Sequence, residues 1–518
     1  MRLFTPIDPK ILSYYYSGKY NKIIKLAPIF SNNKEFLLLL IDVYLELSNS
    51  NKAKETLKLF SISELSNENK IFYDLMTAKH LVLDGSYKEA KSLYLNLINK
   101  IDSDIDDHLK KRIEIEYTEA LIRNSEYDLA KKVLSHIDFE EENKNREHFN
   151  NLLRFHRMNG SLNWHQGDFQ QALKHHGKYL ELSKHMGNIL YQTRALNNIG
   201  IIYVERGYYD KALIYYEDAL TMYRKLKDQK GIARLLNNLG IIYVERGHLG
   251  QALKYFENSY TLKKRLKNIE SLAMTVHNIG SVYYEMGEFD FAIKKYLEAI
   301  ELFKQVNAKN DVAESVIDIL YALEEQNLDI VNHKILHDFP ENREENEIIT
   351  RYRQILDAIL LEHERKVDKA IGLYEEILKY DDLKYENLMV IFARITKLKF
   401  FIWKNNFTEE TYRSLENHLN RWQEICRNNE LIPSLCKVFL LRSKLAIFTL
   451  NFDQAEKYIL MVIELASERG LPLHQQLAEV ELEKIALLET TYLDNPTIDQ
   501  SNQLEDFEAY LRSISSIK

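Results

Sequence analysis

LNNIGIIYVERGYYDKALIYYEDAL (residues 196–220), LNNLGIIYVERGHLGQALKYFENSY (236–260) and VHNIGSVYYEMGEFDFAIKKYLEAI (276–300) align on one another without a gap, at a spacing of forty residues. Each stretch carries glycine at the same two positions and alanine at a third. A fixed period of this length is typical of repeat architectures, in which each unit stacks on its neighbours. The period therefore predicts the fold before any other feature of the chain is considered.

Each repeat is predicted to be a pair of antiparallel helices. From Leu196 onward, apolar or small side chains return at the third, fourth and seventh positions, which is the spacing of one helix face. Gly207 ends this helix, because glycine readily takes the left-handed conformation that closes a helix. A second helix follows with Ala212 and Tyr216 on one face, and we expect the two helices to come closest at Gly200 and Ala212. One such pair cannot bury its apolar stripe alone, so stacking on neighbouring pairs completes the core.

Weaker copies of the pattern flank the three clear repeats. One period upstream, Gly160, Gly167 and Ala172 define a degenerate copy over residues 153–192. The chain is therefore predicted to be an all-α solenoid of stacked antiparallel helix hairpins, with atypical ends that cap the stack. We divide it into four blocks: degenerate helical repeats over 1–150, four forty-residue repeats over 153–312, a helical extension with a charged loop over 313–345, and degenerate repeats with a terminal helix over 346–518. The polar segments 140–147 and 338–346 are predicted joints between blocks.

The recurring glycine, tyrosine, alanine and aromatic positions resemble the tetratricopeptide repeat (TPR) in its forty-residue form, most clearly over residues 193–312. This resemblance implies a right-handed superhelix in which the first helix of each pair lines a concave groove. The asparagine just before the leucine-glycine pair is similar to the repeats of kinesin light chain and of LGN-type adaptors, whose grooves hold acidic extended peptides. TPR peptide sensors of the Rap and PlcR type use a similar asparagine-lined groove.

A polar stripe lies opposite the apolar stripe on the first helix of each repeat. With Arg194 set at zero and about 100° added per residue, Asn198 and Glu205 fall close to the same angle. Asparagine offers donors and an acceptor to a peptide backbone, and arginine pairs with carboxylates. The predicted peptide-binding residues are Arg194, Asn198, Glu205, Arg234, Asn238, Glu245, Asn278 and Glu285. The alternative is a solvated helix face that recurs by duplication, and the sequence leaves both interpretations open.

Composition and charge exclude several classes of protein. The net charge of −8 is spread along the chain, whereas a general nucleic-acid binder would show a basic stripe. The opening segment MRLFTPIDPK lacks the apolar centre of a secretory signal, and the run FLLLLI before Asp42 is too short to span a bilayer. Two cysteines, Cys426 and Cys436, do not make a disulfide framework. We therefore expect a cytoplasmic protein with no nucleic-acid partner and no membrane insertion.

The chain carries no motif for catalysis. It has no HExxH, no GxxxxGK[ST] phosphate loop and no GxSxG elbow. Six histidines between residues 148 and 185 raise the question of a zinc site, but their spacing is wrong for one, and we expect surface or groove histidines. Trp164, Trp403 and Trp422 are predicted to be core residues. No cofactor or metal is predicted, and the chain is not expected to be an enzyme.

Two functional hypotheses follow. The first is a non-catalytic adaptor or scaffold that binds extended, acidic peptide segments of partner proteins in its concave groove. The second is a peptide- or ligand-sensing signalling regulator of the Rap/PlcR or MalT-sensor type, because the segment 444–460 loosely resembles the helical sensor regions of MalT-type proteins. A third class, an enzyme embedded in the solenoid, has no residue to support it. The partners are thus expected to be other proteins or peptides, and the oligomeric state is left open.

Overall fold

The structure is a computed structural model, and it describes residues 7–61, 65–101, 105–124, 126–139, 145–341, 347–380, 385–469, 471–494, 505 and 508–509. Within these ranges the fold is helical throughout, with no strand. The all-α prediction of stacked antiparallel hairpins is confirmed. The predicted joints at 140–147 and 338–346 lie partly outside the described residues, and the predicted block boundaries stay predictions.

The chain divides into two compact units by its own contacts. Unit 1 comprises Met1–Ile202 and Thr221–Leu226, and unit 2 comprises Tyr203–Leu220 and Lys227–Lys518. Helices α1 to α10 belong to unit 1: α1 (Pro9–Tyr16), α2 (Tyr20–Ile24), α3 (Lys34–Glu46), α4 (Ser50–Leu57), α5 (Asn67–Leu83), α6 (Tyr87–Lys100), α7 (Asp107–Arg123), α8 (Tyr127–Ser135), α9 (Arg146–His165) and α10 (Phe169–His185). Two helices contribute to both units: α11 (Ile189–Glu205) and α12 (Tyr209–Leu226).

The remaining helices belong to unit 2: α13 (Gln229–Glu245), α14 (Leu249–Arg265), α15 (Ile269–Glu285), α16 (Phe289–Gln305), α17 (Lys309–Glu325), α18 (Glu347–His363), α19 (Val367–Ile377), α20 (Tyr385–Asn405), α21 (Glu409–Asn428), α22 (Ile432–Phe448), α23 (Phe452–Arg469) and α24 (Pro472–Asp494). A short 3₁₀ helix, Lys334–Asp338, follows α17. Odd-numbered helices from α11 to α15 are the first helices of the clear repeats, and α12, α14 and α16 are the second helices.

The turns follow the forty-residue period. Inside each repeat the chain turns at glycine in the left-handed region, with φ of 71° at Gly207, 73° at Gly247 and 75° at Gly287. Between repeats, an asparagine or aspartate caps the next first helix: Asp228 accepts a hydrogen bond from the backbone N–H of residue 231 at 3.0 Å, and Asn268 from that of residue 271 at 3.2 Å. Such caps satisfy N–H groups that have no partner within the helix. Both turns are therefore fixed by local sequence.

Glycine also lets the two helices of a repeat pack closely. A side-chain carbon placed on Gly240 would lie 2.6 Å from a ring carbon of Phe256, and one on Gly280 would lie 2.8 Å from the ring of Tyr296. In unit 1 a side-chain carbon placed on the corresponding Gly160 would lie 2.6 Å from the ring of His176. An aromatic ring of the second helix thus fills the space that a side chain on the first helix would take.

The start of α22 packs against a repeat turn of unit 2. A side-chain carbon on Gly207 would lie 2.9 Å from Cδ of Pro433, at the first turn of α22. Next to this contact, Arg206 and Glu430 form an ion pair across 224 positions of sequence. The C-terminal helices therefore fold back onto the clear repeats.

The start of α24 makes a similar contact one repeat later. A side-chain carbon on Gly247 would lie 3.3 Å from Cδ1 of Leu473. Beside it, the Arg469 guanidinium lies 3.9 Å from the ring centre of Tyr208. Two successive turns of the repeat block are thus covered by the starts of α22 and α24.

Two expectations about aromatic residues need correction. Trp403 and Trp422 are buried as predicted, but Trp164 is only half-buried. Three of the six clustered histidines are buried, not at a surface: His148, His156 and His176. The histidine prediction was wrong for these because the ring can serve as a core aromatic, as His176 does beneath Gly160.

Candidate functional site

In unit 1 the polar stripe of the first helices is closed into an ion network. Lys79 of α5 lies 2.9 Å from both Asp42 and Glu46 of α3. Arg154 of α9 pairs with Glu46 at 2.9 Å and also with Glu116 of α7. Because these side chains come from alternating helices, the network joins the first helices of successive hairpins.

Arg194, a predicted peptide-binding residue, belongs to this network. Its guanidinium lies 3.0 Å from the carboxylate of Glu46 and also donates to the backbone carbonyl of the same residue. Glu46 is 148 positions away in sequence, so a periodic pattern could not indicate it. Arg194 therefore already holds an internal carboxylate.

The N-terminal helices complete the closure of unit 1. The Tyr15 hydroxyl donates to the Asp42 carboxylate, and the Tyr20 hydroxyl lies 3.4 Å from that of Tyr191. Burial alone would raise the pKa of Asp42, but the charges of Arg112, Lys79 and Arg154 outweigh burial and hold that pKa below its usual range. The carboxylates thus stay ionised inside the unit.

In unit 2 the corresponding stripe stays accessible. On α13, Arg234 is exposed and Asn238 is half-exposed; on α15, Asn278 is half-exposed. The amide of Asn278 donates to Oδ1 of Asn237 on α13 at 3.4 Å, which joins the two first helices. Asn238 hydrogen-bonds with Tyr216 of α12. We call the surface of Arg234, Asn238 and Asn278 the amide face. Asn198 of α11 is also half-exposed, in unit 1.

The predicted glutamates divide into two kinds. Glu245 accepts a hydrogen bond from the Tyr209 hydroxyl at 2.9 Å, which ties one repeat to the next. Glu205 is half-exposed near the same tyrosine. Glu285 lies within electrostatic reach of Glu245 and of Lys437 on α22. Glu245 therefore has a structural partner, whereas Glu285 faces the C-terminal helices.

The stripe continues onto α17, which the sequence analysis missed. Glu314, Asp318 and Tyr321 stand one period after Met274, Asn278 and Ser281. They line a cleft with Tyr352 and Arg394. Asp318 lies one forty-residue period after Asn278, so the period itself would have indicated that the stripe continues onto this helix. The polar stripe thus ends in an acidic and aromatic cleft.

Internal partners compensate much of the charge in this cleft. Asp318 lies 2.8 Å from Nε2 of His277, and the Tyr352 hydroxyl lies 3.1 Å from Glu314. The Arg394 guanidinium is 4.6 Å from the ring centre of Tyr321. An arginine already occupies the aromatic surface of the cleft, so the amide face is the stronger candidate site.

Lys263 of α14 is a second residue that the sequence analysis missed. Its amine lies 2.6 Å from Oγ1 of Thr275 and 3.5 Å from Oδ1 of Asn237, directly behind the amide face. Burial and, to a smaller extent, the charge of Arg234 lower its pKa to about 7. The sequence alone could have indicated Lys263 as unusual, because the same repeat position holds an aromatic residue in both neighbouring repeats: Tyr223 one repeat earlier and Phe303 one repeat later.

The described ranges offer no clustered set of metal ligands. They contain no group of three or more His, Cys, Asp or Glu side chains that could hold a metal ion. Both cysteines are buried, and burial raises the pKa of each thiol to about 12. None of the described helices is both long and apolar enough to cross a bilayer.

This chain has the fold of a helical repeat protein. The fold is defined by its helix pairs, its glycine turns and its forty-residue register. The tetratricopeptide repeat family matches this chain at residues 152–225, 191–265 and 231–305. Residues 152–305 are therefore similar to tetratricopeptide repeats, and the predicted resemblance is confirmed for this part of the chain.

Several solved structures are similar to this chain. A Rap protein complexed with competence and sporulation factor is 14% identical, with a TM-score of 0.49, over 76% of this chain and 98% of that one. NprR in complex with its cognate peptide NprX is 18% identical, with a TM-score of 0.46, over 67% and 98%. The apo form of the quorum sensor NprR from B. thuringiensis is 17% identical, with a TM-score of 0.45, over 77% and 99%. No curated protein sequence matches the chain.

Proposed function

We propose that this protein is a non-catalytic adaptor that binds extended peptide segments of partner proteins at the amide face of unit 2. The observation that carries the proposal is the contrast between the two units. In unit 1 the stripe is paired with internal charges, whereas in unit 2 Arg234, Asn238 and Asn278 stay exposed or half-exposed on successive first helices. Amide side chains suit a peptide backbone because each offers both donors and an acceptor.

The proposed ligand carries an acidic group near Arg234. Arginine holds a carboxylate through two parallel hydrogen bonds, and Arg234 is exposed on α13. Because Arg194 is already paired with Glu46, only one of the two predicted arginines, Arg234, is proposed to bind the peptide. Toward α17 the stripe becomes acidic, at Glu314 and Asp318, so the other end of the peptide is proposed to be neutral or basic.

The test is selection of peptides from a displayed random library, followed by affinity measurement with purified protein. We expect the selected peptides to be enriched in Asp and Glu, and the double variant Asn238→Ala/Asn278→Ala to bind them at least about tenfold more weakly, since each lost hydrogen bond contributes roughly 0.5–1.5 kcal/mol. Asn258→Ala is the matched control, because Asn258 is exposed on the second helix α14. Equal affinity of the double variant and the control would contradict the proposal.

One observation favours the alternative role of a peptide-sensing regulator. Lys437 of α22 is within electrostatic reach of Glu285, so the C-terminal helices stand close to the extended stripe. A ligand that repels or attracts Lys437 would change how α22 packs on the repeat turns. Under this alternative the peptide also changes the protection of α22 from hydrogen exchange, whereas a plain adaptor leaves it unchanged.

A further inference from the structure

The amine of Lys263 lies in a cluster of uncharged hydrogen-bond partners. It donates to Oγ1 of Thr275 at 2.6 Å and lies 3.5 Å from Oδ1 of Asn237. The same Oδ1 also accepts from the Thr275 hydroxyl at 2.8 Å and from the Asn278 amide at 3.4 Å. The amine therefore has hydrogen-bond acceptors but no anion among them.

No carboxylate compensates the charge of Lys263. The side chain is 5% exposed, and none of the ion pairs in the described ranges includes it. The charged group that reaches it from α13 is Arg234, a second cation, while its hydrogen-bond partners, Asn237 of α13 and Thr275 of α15, are uncharged. A buried cation without an anion is costly, because burial removes water and nothing replaces it.

The repeat register shows that the fold does not need a lysine here. Tyr223 and Phe303, at the same position of the neighbouring repeats, are buried to 0% and 2% exposure. A core aromatic is therefore the ordinary occupant of this position. Lys263 replaces it with a charged group that lies behind the half-exposed Asn278.

We propose that Lys263 and Arg234 form an anchoring site for a carboxylate, which enters beside Asn278 and supplies the anion that the cluster lacks. This inference rests on the proposed function only for the source of the carboxylate, which is either an acidic side chain or the C-terminus of a peptide. The carboxylate accepts hydrogen bonds from the Lys263 amine and the Arg234 guanidinium, and it converts an uncompensated cation into an ion pair.

The first test uses sodium acetate as the probe, with sodium chloride at equal ionic strength as the reference. We expect acetate to raise the melting temperature of the wild-type protein at pH 6.5, and its half-saturating concentration to be at least about tenfold higher in Lys263→Phe, which copies Phe303. Lys264→Met, which removes the exposed neighbouring lysine, should behave as wild type. An equal acetate response in Lys263→Phe, or none in the wild type, would overturn the proposal.

The second test follows stability against pH without any ligand. The pKa of Lys263 is about 7 in the folded protein and about 10.5 when unfolded, so the unfolded chain binds the extra proton between these values. Wild-type stability should therefore rise relative to Lys263→Phe as the pH increases from 7 to 10. Saturating acetate should flatten this rise, because the anion favours the charged amine. A pH-independent difference would contradict the uncompensated charge.

The source of the carboxylate is decided with two small probes. N-acetylglycine carries a terminal carboxylate, and N-acetylaspartic acid α-amide carries a side-chain carboxylate. Tighter binding of either one, lost in Lys263→Phe, supports the site and names its source; binding that Lys263→Phe leaves unchanged contradicts it. These titrations need no peptide, so the site can hold where the proposed function fails. If the selected peptides bind Lys263→Phe as tightly as wild type, the carboxylate site is contradicted while the proposed peptide-binding function stands.

Discussion

At the scale of single residues, position 176 shows how the repeat register explains an unusual side chain. His176 fills the space beneath Gly160 that Phe256 fills beneath Gly240. It is buried, and Nδ1 has no hydrogen-bond partner. Burial and, to a smaller extent, the charges of His175 and Arg157 lower its pKa to about 3. The imidazole therefore acts as an aromatic ring that must stay neutral.

We predict that His176→Phe removes a destabilisation that appears in weak acid. The pKa of the histidine is about 6.5 in the unfolded chain, so the unfolded state binds a proton that the folded state refuses between pH 6.5 and about 3. Stability is thus lost as the pH falls from 6.5, by roughly 3 kcal/mol at pH 4 for this group.

Urea unfolding of wild type and His176→Phe at pH 7 and pH 4 measures this effect. His185→Phe is the control, because His185 is exposed at the end of the same helix. The variant should gain stability over wild type at pH 4. A gain that is the same at both pH values would mean that protonation of His176 has no part in it.

The periodic pattern predicted local features well at this scale. It placed Asn238 and Asn278 on an accessible face, and Ala212 and Tyr216 in the core. It failed where the partner is distant or breaks the period. Glu46, which holds Arg194, belongs to a helix without a clear repeat. Lys263 breaks the period, because it stands on a second helix at a position that is aromatic in the neighbouring repeats.

At the scale of helices, the glycine row controls how closely the members of a repeat approach. Gly240 stands in the middle of α13, where glycine is a poor helix former. It lies beneath the ring of Phe256, at a distance that leaves no space for a side chain. Close packing therefore takes precedence over helix propensity at this position.

We predict that Gly240→Ala destabilises unit 2 while Gly250→Ala stabilises it. The new carbon at 240 would lie 2.6 Å from the ring of Phe256, and overpacking of this kind costs about 1–3 kcal/mol. At Gly250 of α14 the same carbon meets nothing within 4 Å, so the gain in helix propensity of up to about 1 kcal/mol remains. Thermal unfolding of both variants tests the pair.

The double variant Gly240→Ala/Phe256→Leu tests whether the contact with the Phe256 ring causes the loss of stability. A smaller side chain at 256 should recover part of the stability lost through the alanine at 240. If Gly240→Ala were as stable as Gly250→Ala, the close approach of α13 and α14 would be refuted.

At the same scale, α17 shows the limit of pattern recognition. The sequence analysis placed it in a helical extension after the last repeat, because its glycine and tyrosine positions have diverged. Its polar positions keep the period, and Asp318 bonds to His277 of the preceding first helix. Polar positions can thus continue the repeat period after its packing signature has faded.

At the scale of the molecule, unit 1 depends on its internal ions. Arg154 is 2% exposed and bridges Glu46 and Glu116, which come from α3 and α7. Removing one member of a buried pair leaves an uncompensated charge behind. The network is therefore a requirement of the folded unit and not an addition to it.

We predict that Arg154→Met destabilises the protein by about 3–5 kcal/mol, because two buried carboxylates lose a partner. Lys111→Met is the control, since its pair with the exposed Asp107 contributes at most about 1 kcal/mol. Chemical unfolding monitored by circular dichroism gives both values. The loss in Arg154→Met should shrink as the pH falls into the acid range, because Arg154 helps to hold the pKa of Glu46 below its usual value and this contribution to stability disappears once Glu46 is protonated. A loss that grows with falling pH would contradict the network.

The contacts of α22 and α24 with the turns at Gly207 and Gly247 alter how unit 2 can come apart. A stack whose members touch only their neighbours can fray from either end, one hairpin at a time. Here the C-terminal hairpins cover the turns of the clear repeats, and the ion pair between Arg206 and Glu430 closes a loop of more than two hundred residues. Such closure raises the mean sequence separation of contacts, which slows folding relative to an open repeat array. The packing of α22 and α24 thus holds the C-terminal helices against the middle of the array and opposes fraying from that end.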